Sequence, residues 1–185
     1  HRVGARYLTA ASGMSAREVR DNMGKAKALY EPVMNNIKIK EAGGRDMAWV
    51  ESVCKSYKPD ILVLDMGDKF SVQGSFARQD EALKACAIYA RQIAKSYDCA
   101  VFYMSQLSAE AEGRSQLNQS MMEGSRTGKA AEADLMVLIG KTNAQIEGEE
   151  EDSPMRHVNV VKNKLTGWHG MVNVDLDYQT ARYTG

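Results

Sequence analysis

Polar residues stand just after apolar runs at four points of this 185-residue sequence. Asp65 follows Ile61-Leu62-Val63-Leu64, and Ser105-Gln106 follows Cys99-Ala100-Val101-Phe102-Tyr103-Met104. Lys141 comes just beyond Leu135-Met136-Val137-Leu138-Ile139, while Lys162 and Lys164 come just beyond Val158-Asn159-Val160-Val161. Such runs fit strands buried in a parallel sheet, and open parallel sheets bind ligands outside the carboxyl ends of their strands. An acid, an amide and several cations along one sheet edge suit a metal–polyphosphate better than an apolar ligand. At Asp65 a carboxylate can hold a Mg²⁺-bound water, because Mg²⁺ keeps most of its water shell and takes one or two carboxylates; the alternative is a cap on the following loop. Gln106 can donate to a phosphate oxygen and accept from a water, as a γ-phosphate sensor does, or it can satisfy backbone groups of its own loop. Lys162 and Lys164 alternate and so share one face of a strand, which serves either a phosphate or a solvated edge.

Other chemistries are excluded. Gly124-Ser125-Arg126-Thr127-Gly128-Lys129-Ala130 is not a phosphate-binding P-loop: three residues separate the glycines, and no Ser or Thr follows the Lys. Cys54, Cys86 and Cys99 lie far apart with no CxxC spacing, which excludes a zinc ribbon and a disulfide scaffold and suits a reducing cytosol. His169 lies beside Gly170 in an expected turn, and no Ser/His/Asp or Cys/His arrangement is visible. Lys plus Arg number 24 and Asp plus Glu 24, so an overall basic nucleic-acid binder is disfavoured while a local basic patch is not. No apolar run approaches the roughly 18–20 residues that span a bilayer, so no membrane partner is expected. With 44% hydrophobic and 26% charged residues, the composition is that of one globular domain.

The elements that must position these residues follow from periodicity. The first forty residues read as helix, with a capping box at Ser15-Ala16-Arg17-Glu18 and a stop or kink at Pro32. Asn36 to Lys40 alternates and predicts a short strand. Helices are expected from Met47 to Tyr57, stopped by Lys58-Pro59, and from Gln79 to Tyr97. The four apolar runs are strands, and Gly170 to Asp175 with Ala181-Arg182-Tyr183 predicts a terminal hairpin. Ser105 to Lys129 forms a loop of about 25 residues, a length that is usually functional or mobile. Gln145 to Asp152 reads as an acidic, solvated excursion. Alternating helices and buried strands predict an α/β domain with a mostly parallel central sheet.

In this order the pieces resemble the RecA-like ATPase domain of hexameric replicative DNA helicases, the DnaB-like group and its bacteriophage relatives. The resemblance rests on Asp60-Ile61-Leu62-Val63-Leu64-Asp65 as Walker B, and on Val101-Phe102-Tyr103-Met104-Ser105-Gln106-Leu107 with its SQL. It continues through the Glu112-Gly113-Arg114 to Gly124-Ser125 loop, Ala133-Asp134, and Val161-Lys162-Asn163-Lys164-Leu165-Thr166-Gly167. It covers about residues 58–185. It implies a RecA-like sheet flanked by helices with a C-terminal antiparallel hairpin. It also implies ATP and Mg²⁺ as cofactors, single-stranded DNA as partner, a homo-oligomeric hexameric ring, and a cytoplasmic setting in a bacterial or phage-infected cell; primase stands open as a further partner. Asp65 takes the place of the Mg²⁺-water carboxylate and Gln106 that of the γ-phosphate sensor. Lys162 and Lys164 fall where the family places a Lys and an arginine finger that reach a neighbouring subunit's phosphate. Lys164 departs from the pattern, being a point charge without Arg's fork. Lys141 and Tyr178 fall near the nucleotide base, and Arg114, Asn118, Gly124, Ser125, Arg126 and Lys129 fall on the central-channel DNA loop.

Two other readings stand beside this one: a different RecA-like ATPase, such as a recombinase or mediator, and a non-catalytic RecA-like assembly or binding module. The family's Walker A loop and catalytic Glu are expected before His1, making residues 1–185 an N-terminally truncated RecA-like domain. The purified 185-residue chain is accordingly expected to show no ATP turnover; robust hydrolysis by it would overturn that expectation.

Overall fold

The computed structural model describes residues 2–124, 127–142 and 153–185. Three short helices open the chain: α1 (Arg2–Ser12), α2 (Ala16–Asp21) and α3 (Met23–Met34). The capping box forms as expected, with the Ser15 hydroxyl accepting from the Glu18 N–H and the Glu18 carboxylate accepting from the Ser15 N–H. Met14, Val19 and Ala26 make the small core between these helices. Helix α3 runs through Pro32 to Met34 rather than stopping there, and residues 36–40 form no strand. Ile37 and Ile39 are exposed, so neither face of that segment is buried.

The second unit is α4 (Met47–Tyr57), β1 (Ile61–Leu64), α5 (Gln79–Tyr97) and β2 (Ala100–Tyr103). Asp46 caps α4 by accepting from the Trp49 N–H, and left-handed Lys58 ends it. Strands β1 and β2 pair in parallel, Ile61 with Ala100 through Leu64 with Tyr103. Their inward side chains meet Met47, Val50 and Cys54 of α4 and Cys86, Ala90 and Ile93 of α5. All three cysteines are free and buried; burial, then the neighbouring Cys99, pushes the Cys54 thiol up to about 11.

The third unit is α6 (Gly128–Glu132) followed by β3 (Leu135–Gly140), β4 (Met155–Asn163), β5 (Gly170–Asp177) and β6 (Arg182–Thr184). These strands form a four-stranded antiparallel sheet in chain order. The fold class is the expected α/β one, but parallel pairing among the described strands is confined to β1–β2. The runs were also expected to be buried on both faces, and they are not. Ile61, Val63, Phe102 and Met104 are exposed, as are Leu135, Val137 and Ile139, because no described element lies over that side. No helix among the described residues is long and apolar enough to cross a membrane.

The two ends of the chain are tied together at α1. Arg182 on β6 donates from Nε to the Ala10 carbonyl at 2.6 Å and from Nη2 to the Ala11 carbonyl at 3.1 Å. These are orphan carbonyls at a helix C-terminus, where a cation is favoured. The guanidinium lies so close over Gly13, whose φ is +68°, that a Cβ there would sit 3.0 Å from Nη1. Arg182→Ala is expected to lower stability by about 1 kcal/mol and to raise hydrogen exchange selectively in α1. Unchanged protection of the α1 amides would show that this tie does not hold the helix.

Candidate nucleotide-binding edge and loop

At their carboxyl ends β1 and β2 lie side by side. Leu64 pairs with Tyr103, the Met104 N–H donates to the Leu64 carbonyl at 3.1 Å, and the Gly67 N–H donates to the Met104 carbonyl at 2.9 Å. Asp65 and Gln106 therefore project from adjacent parallel strand ends, and both are exposed. The close return at Gly67 needs glycine, since a Cβ there would stand 2.5 Å from the Tyr103 ring. Lys141, with Ile139 and Gly140, lines a cleft of about 320 Å³ together with Leu107, Ser108 and Gly113 of the stretch that follows Gln106.

Lys162 and Lys164 do not share a strand end with Lys141, contrary to the single-edge expectation. Strand β4 runs antiparallel to β3, so Gly140 faces His157 while Leu135 faces Asn163. Lys141 and the two lysines consequently lie at opposite ends of the same strand pair. The Lys162 ammonium donates to the Ala130 carbonyl, and burial followed by the Lys164 charge draws it below the ordinary lysine range. Lys164 lies 3.5 Å from the Asp134 carboxylate, which also pairs with Arg91 at 3.1 Å. The Arg91 hydrogen bond is the main reason that the Asp134 carboxyl lies below its usual range. Tyr178 is exposed at the far end of β5, with the Arg156 guanidinium 5.4 Å from its ring centre.

Residues 105–124 are not an open loop. The Ser108 N–H donates to the Met121 carbonyl at 2.7 Å, the Glu123 N–H donates to the Gln106 carbonyl at 3.1 Å, and Leu107 bridges Met122. Short turns at Ala109–Ala111 and Gln119–Met121 close the segment over a core of Ala111, Leu117, Met121, Met122, Met136 and Leu138. Arg114 and Asn118 remain exposed, with the Asn118 side chain capping the second turn through the Ser120 N–H. Gly124 adopts φ +76°. Ser125 and Arg126 lie outside the described residues, as does the acidic 145–152 stretch. Lys129 departs from its expected place on a DNA-facing loop. It is 4% exposed, and its ammonium is held by Asp68 at 3.0 Å and Ser105 at 2.8 Å.

Asp68, Asn159 and Arg91 carry this architecture and were not singled out from the sequence. A signal existed for Asn159, a lone amide among β-branched residues on an inward strand position. It is 5% exposed. Its Oδ1 accepts from the Leu117 N–H at 3.1 Å, and its Nδ2 donates to the Ser115 carbonyl at 2.9 Å. The segment can lie this close because β3 ends in Gly140, where a Cβ would meet the Arg114 carbonyl at 2.5 Å.

Two solved structures share this fold. A DnaB-like replicative helicase, described with its interactions with primase, superposes with a TM-score of 0.81 over 97% of this chain at 18% identity. A second structure, an ATPase domain, superposes with a TM-score of 0.82 over 97% of this chain, also at 18% identity. The chain has the fold of a replicative-helicase ATPase domain. It spans about half the length of the first of these chains (47%) and 68% of the second. No protein-family model and no curated protein sequence matches it.

Within this RecA-like domain Asn159→Ala leaves the Leu117 N–H and the Ser115 carbonyl without their partner. The expected loss is about 2–3 kcal/mol in denaturant unfolding, from unsatisfied buried backbone groups. Faster exchange at the Leu117 amide should accompany it, and a loss under about 0.5 kcal/mol, the low end for a single hydrogen bond, would show that the amide does not pin the segment.

Proposed function

We propose that this chain is part of a ring-shaped replicative DNA helicase motor that couples MgATP hydrolysis to 5′-to-3′ translocation on single-stranded DNA. The observation that carries the reading is the exposed Asp65–Gln106 pair on adjacent parallel strand ends, within the fold of a helicase ATPase domain. The donor set fits the implied ion. Asp65 offers a hard carboxylate oxygen at the rim, and among the described residues no three His, Cys, Asp or Glu side chains converge as a metal cage. One carboxylate with phosphates and waters is how Mg²⁺ is commonly held. When bound, the ion neutralises charge developing on the phosphates. Asp65 would hold and orient an ion-bound water, and Gln106 would donate its amide N–H to the γ-phosphate.

Lys162 and Lys164, gathered at the other end of the β3–β4 pair, fit a role toward a neighbouring protomer's phosphate better than toward this chain's own rim. Lys141 beside the cleft and Tyr178 beside Arg156 would flank the base. Arg114 and Asn118 line a polar cleft of about 570 Å³ with Leu117 and Met121; together with Gly124, Ser125 and Arg126 they would face the DNA. A phosphate-cradling loop is required by this reading, and no segment of this chain has its pattern. The uncovered apolar side of β1, β2 and β3 offers a surface against which its strand and helix would pack. Primase is the further partner in this proposal.

In the full-length, assembled protein Asp65→Ala is expected to lower MgATP turnover at least about 100-fold, as loss of an electrostatic group at a phosphoryl-transfer site does. Lys164→Ala is expected to abolish DNA-stimulated turnover while leaving nucleotide binding measurable. Wild-type protein that neither hydrolyses ATP nor unwinds a forked duplex would remove the motor reading; unchanged turnover in Lys164→Ala would remove that lysine from the site.

A further inference from the structure

Lys129 is a charged side chain inside the protein, 4% exposed, at the start of α6. Its ammonium has three N–H donors and meets oxygens of three residues. These are Asp68 at 3.0 and 3.2 Å, the Ser105 hydroxyl at 2.8 Å, and the Glu123 carbonyl at 2.6 Å. The Ser105 hydroxyl in turn donates to Asp68 at 2.6 Å, so carboxylate, hydroxyl and ammonium form a closed triangle. The acceptors come from three separate points of the chain, with Ser105 and Glu123 at the two ends of the 105–124 segment. Asp68 is three residues past Asp65, Ser105 is the residue before Gln106, and Glu123 ends the 105–124 segment. Glu123 is also joined directly to Gln106, its N–H donating to the Gln106 carbonyl at 3.1 Å. Tyr103 closes the site from the side, its ring against Gly67 and its buried hydroxyl beside Asp68.

We propose that Lys129 is a positioning residue that locks the Arg114–Gly124 segment to the Asp65–Gln106 edge, so that displacement of that segment by single-stranded DNA is passed to the Gln106 amide. The physical basis is that a buried charge stripped of any one partner is costly. The turn after β1, both ends of the 105–124 segment and the start of α6 therefore cannot separate independently and shift as one body. Lys129 thus acts from inside and does not touch the phosphate backbone, while Arg114 and Asn118 remain the exposed groups of the segment. The proposal rests on the helicase reading above, because it is DNA that would drive the displacement.

The test uses the full-length, assembled protein and reads the ratio of DNA-stimulated to basal ATP hydrolysis, with oligothymidylate as the probe strand. Lys129→Met is expected to reduce that ratio at least about tenfold while the KM for ATP stays within about twofold. The salt dependence of strand binding separates the inside role from a direct contact. Losing one phosphate contact lowers the slope of log K against log salt by about 0.7 for single strands, whereas loss of a positioning residue leaves the slope unchanged. Ser105→Ala keeps the Asp68–Lys129 pair and removes the hydroxyl beside Gln106; it should lower the ratio about threefold, and it decides the matter if Lys129→Met does not fold. Wild-type stimulation in Ser105→Ala, or a reduced salt slope in Lys129→Met, would overturn the coupling while the helicase reading stands. Absence of any stimulation in the wild-type protein would overturn both.

Discussion

An ammonium buried in a protein must be met by oxygens on every side that its hydrogens point, and the place where Lys129 finds them organises the site. Asp68, Ser105 and the Glu123 carbonyl are brought to one point, and each comes from a different stretch of chain. That convergence sets where α6 starts, how the 105–124 segment closes, and how the ends of β1 and β2 are joined beyond their last paired residues. Buried ion pairs give little net stability because both charges lose their water. Their effect is on uniqueness: few arrangements of these segments satisfy all the donors, and the others leave a bare charge inside.

The sheet system is one-sided. Helices α4 and α5 cover one face of β1 and β2, and the 105–124 segment covers one face of β3 and β4. Between the halves, Arg91 on α5 bonds the Glu132 carbonyl and the Asp134 carboxylate just before β3. The opposite side keeps apolar residues exposed along β1, β2 and β3. The polar residues divide in the same geometric way. Asp65 and Gln106 follow the paired ends of β1 and β2; Lys141 follows the end of β3, and Lys162 and Lys164 lie where β3 begins.

Much of this fold was legible from local pattern. The capping box at Ser15 and Glu18, the stop at Lys58-Pro59, the bounds of α5 and all four apolar runs follow from side-chain periodicity and backbone preference, which act over a few residues. Pro32 and the 36–40 segment depart from that pattern for a related reason. A proline near a helix C-terminus removes little, and an alternating pentapeptide is a strand only if an edge lies next to it. The direction of β4 was not legible either. A run such as Val158 to Val161 is equally apolar in a parallel or an antiparallel pair, and antiparallel pairing moved Lys162 and Lys164 to the other end of the sheet.

The order of elements, the Asp65 and Gln106 positions and the departure at Lys164 were determined by the sequence alone, because strand ends and the residues beyond them are fixed by short-range chemistry. Tertiary structure alone decided that Lys129 faces inward, that Asn159 holds the 115–117 backbone, and that the 105–124 segment is packed rather than open. Those outcomes depend on partners 24 to 61 residues away. A basic residue in a glycine-rich stretch looks the same whether it meets a phosphate in solvent or a carboxylate inside. What separates the two is whether distant chain arrives with oxygens to receive it.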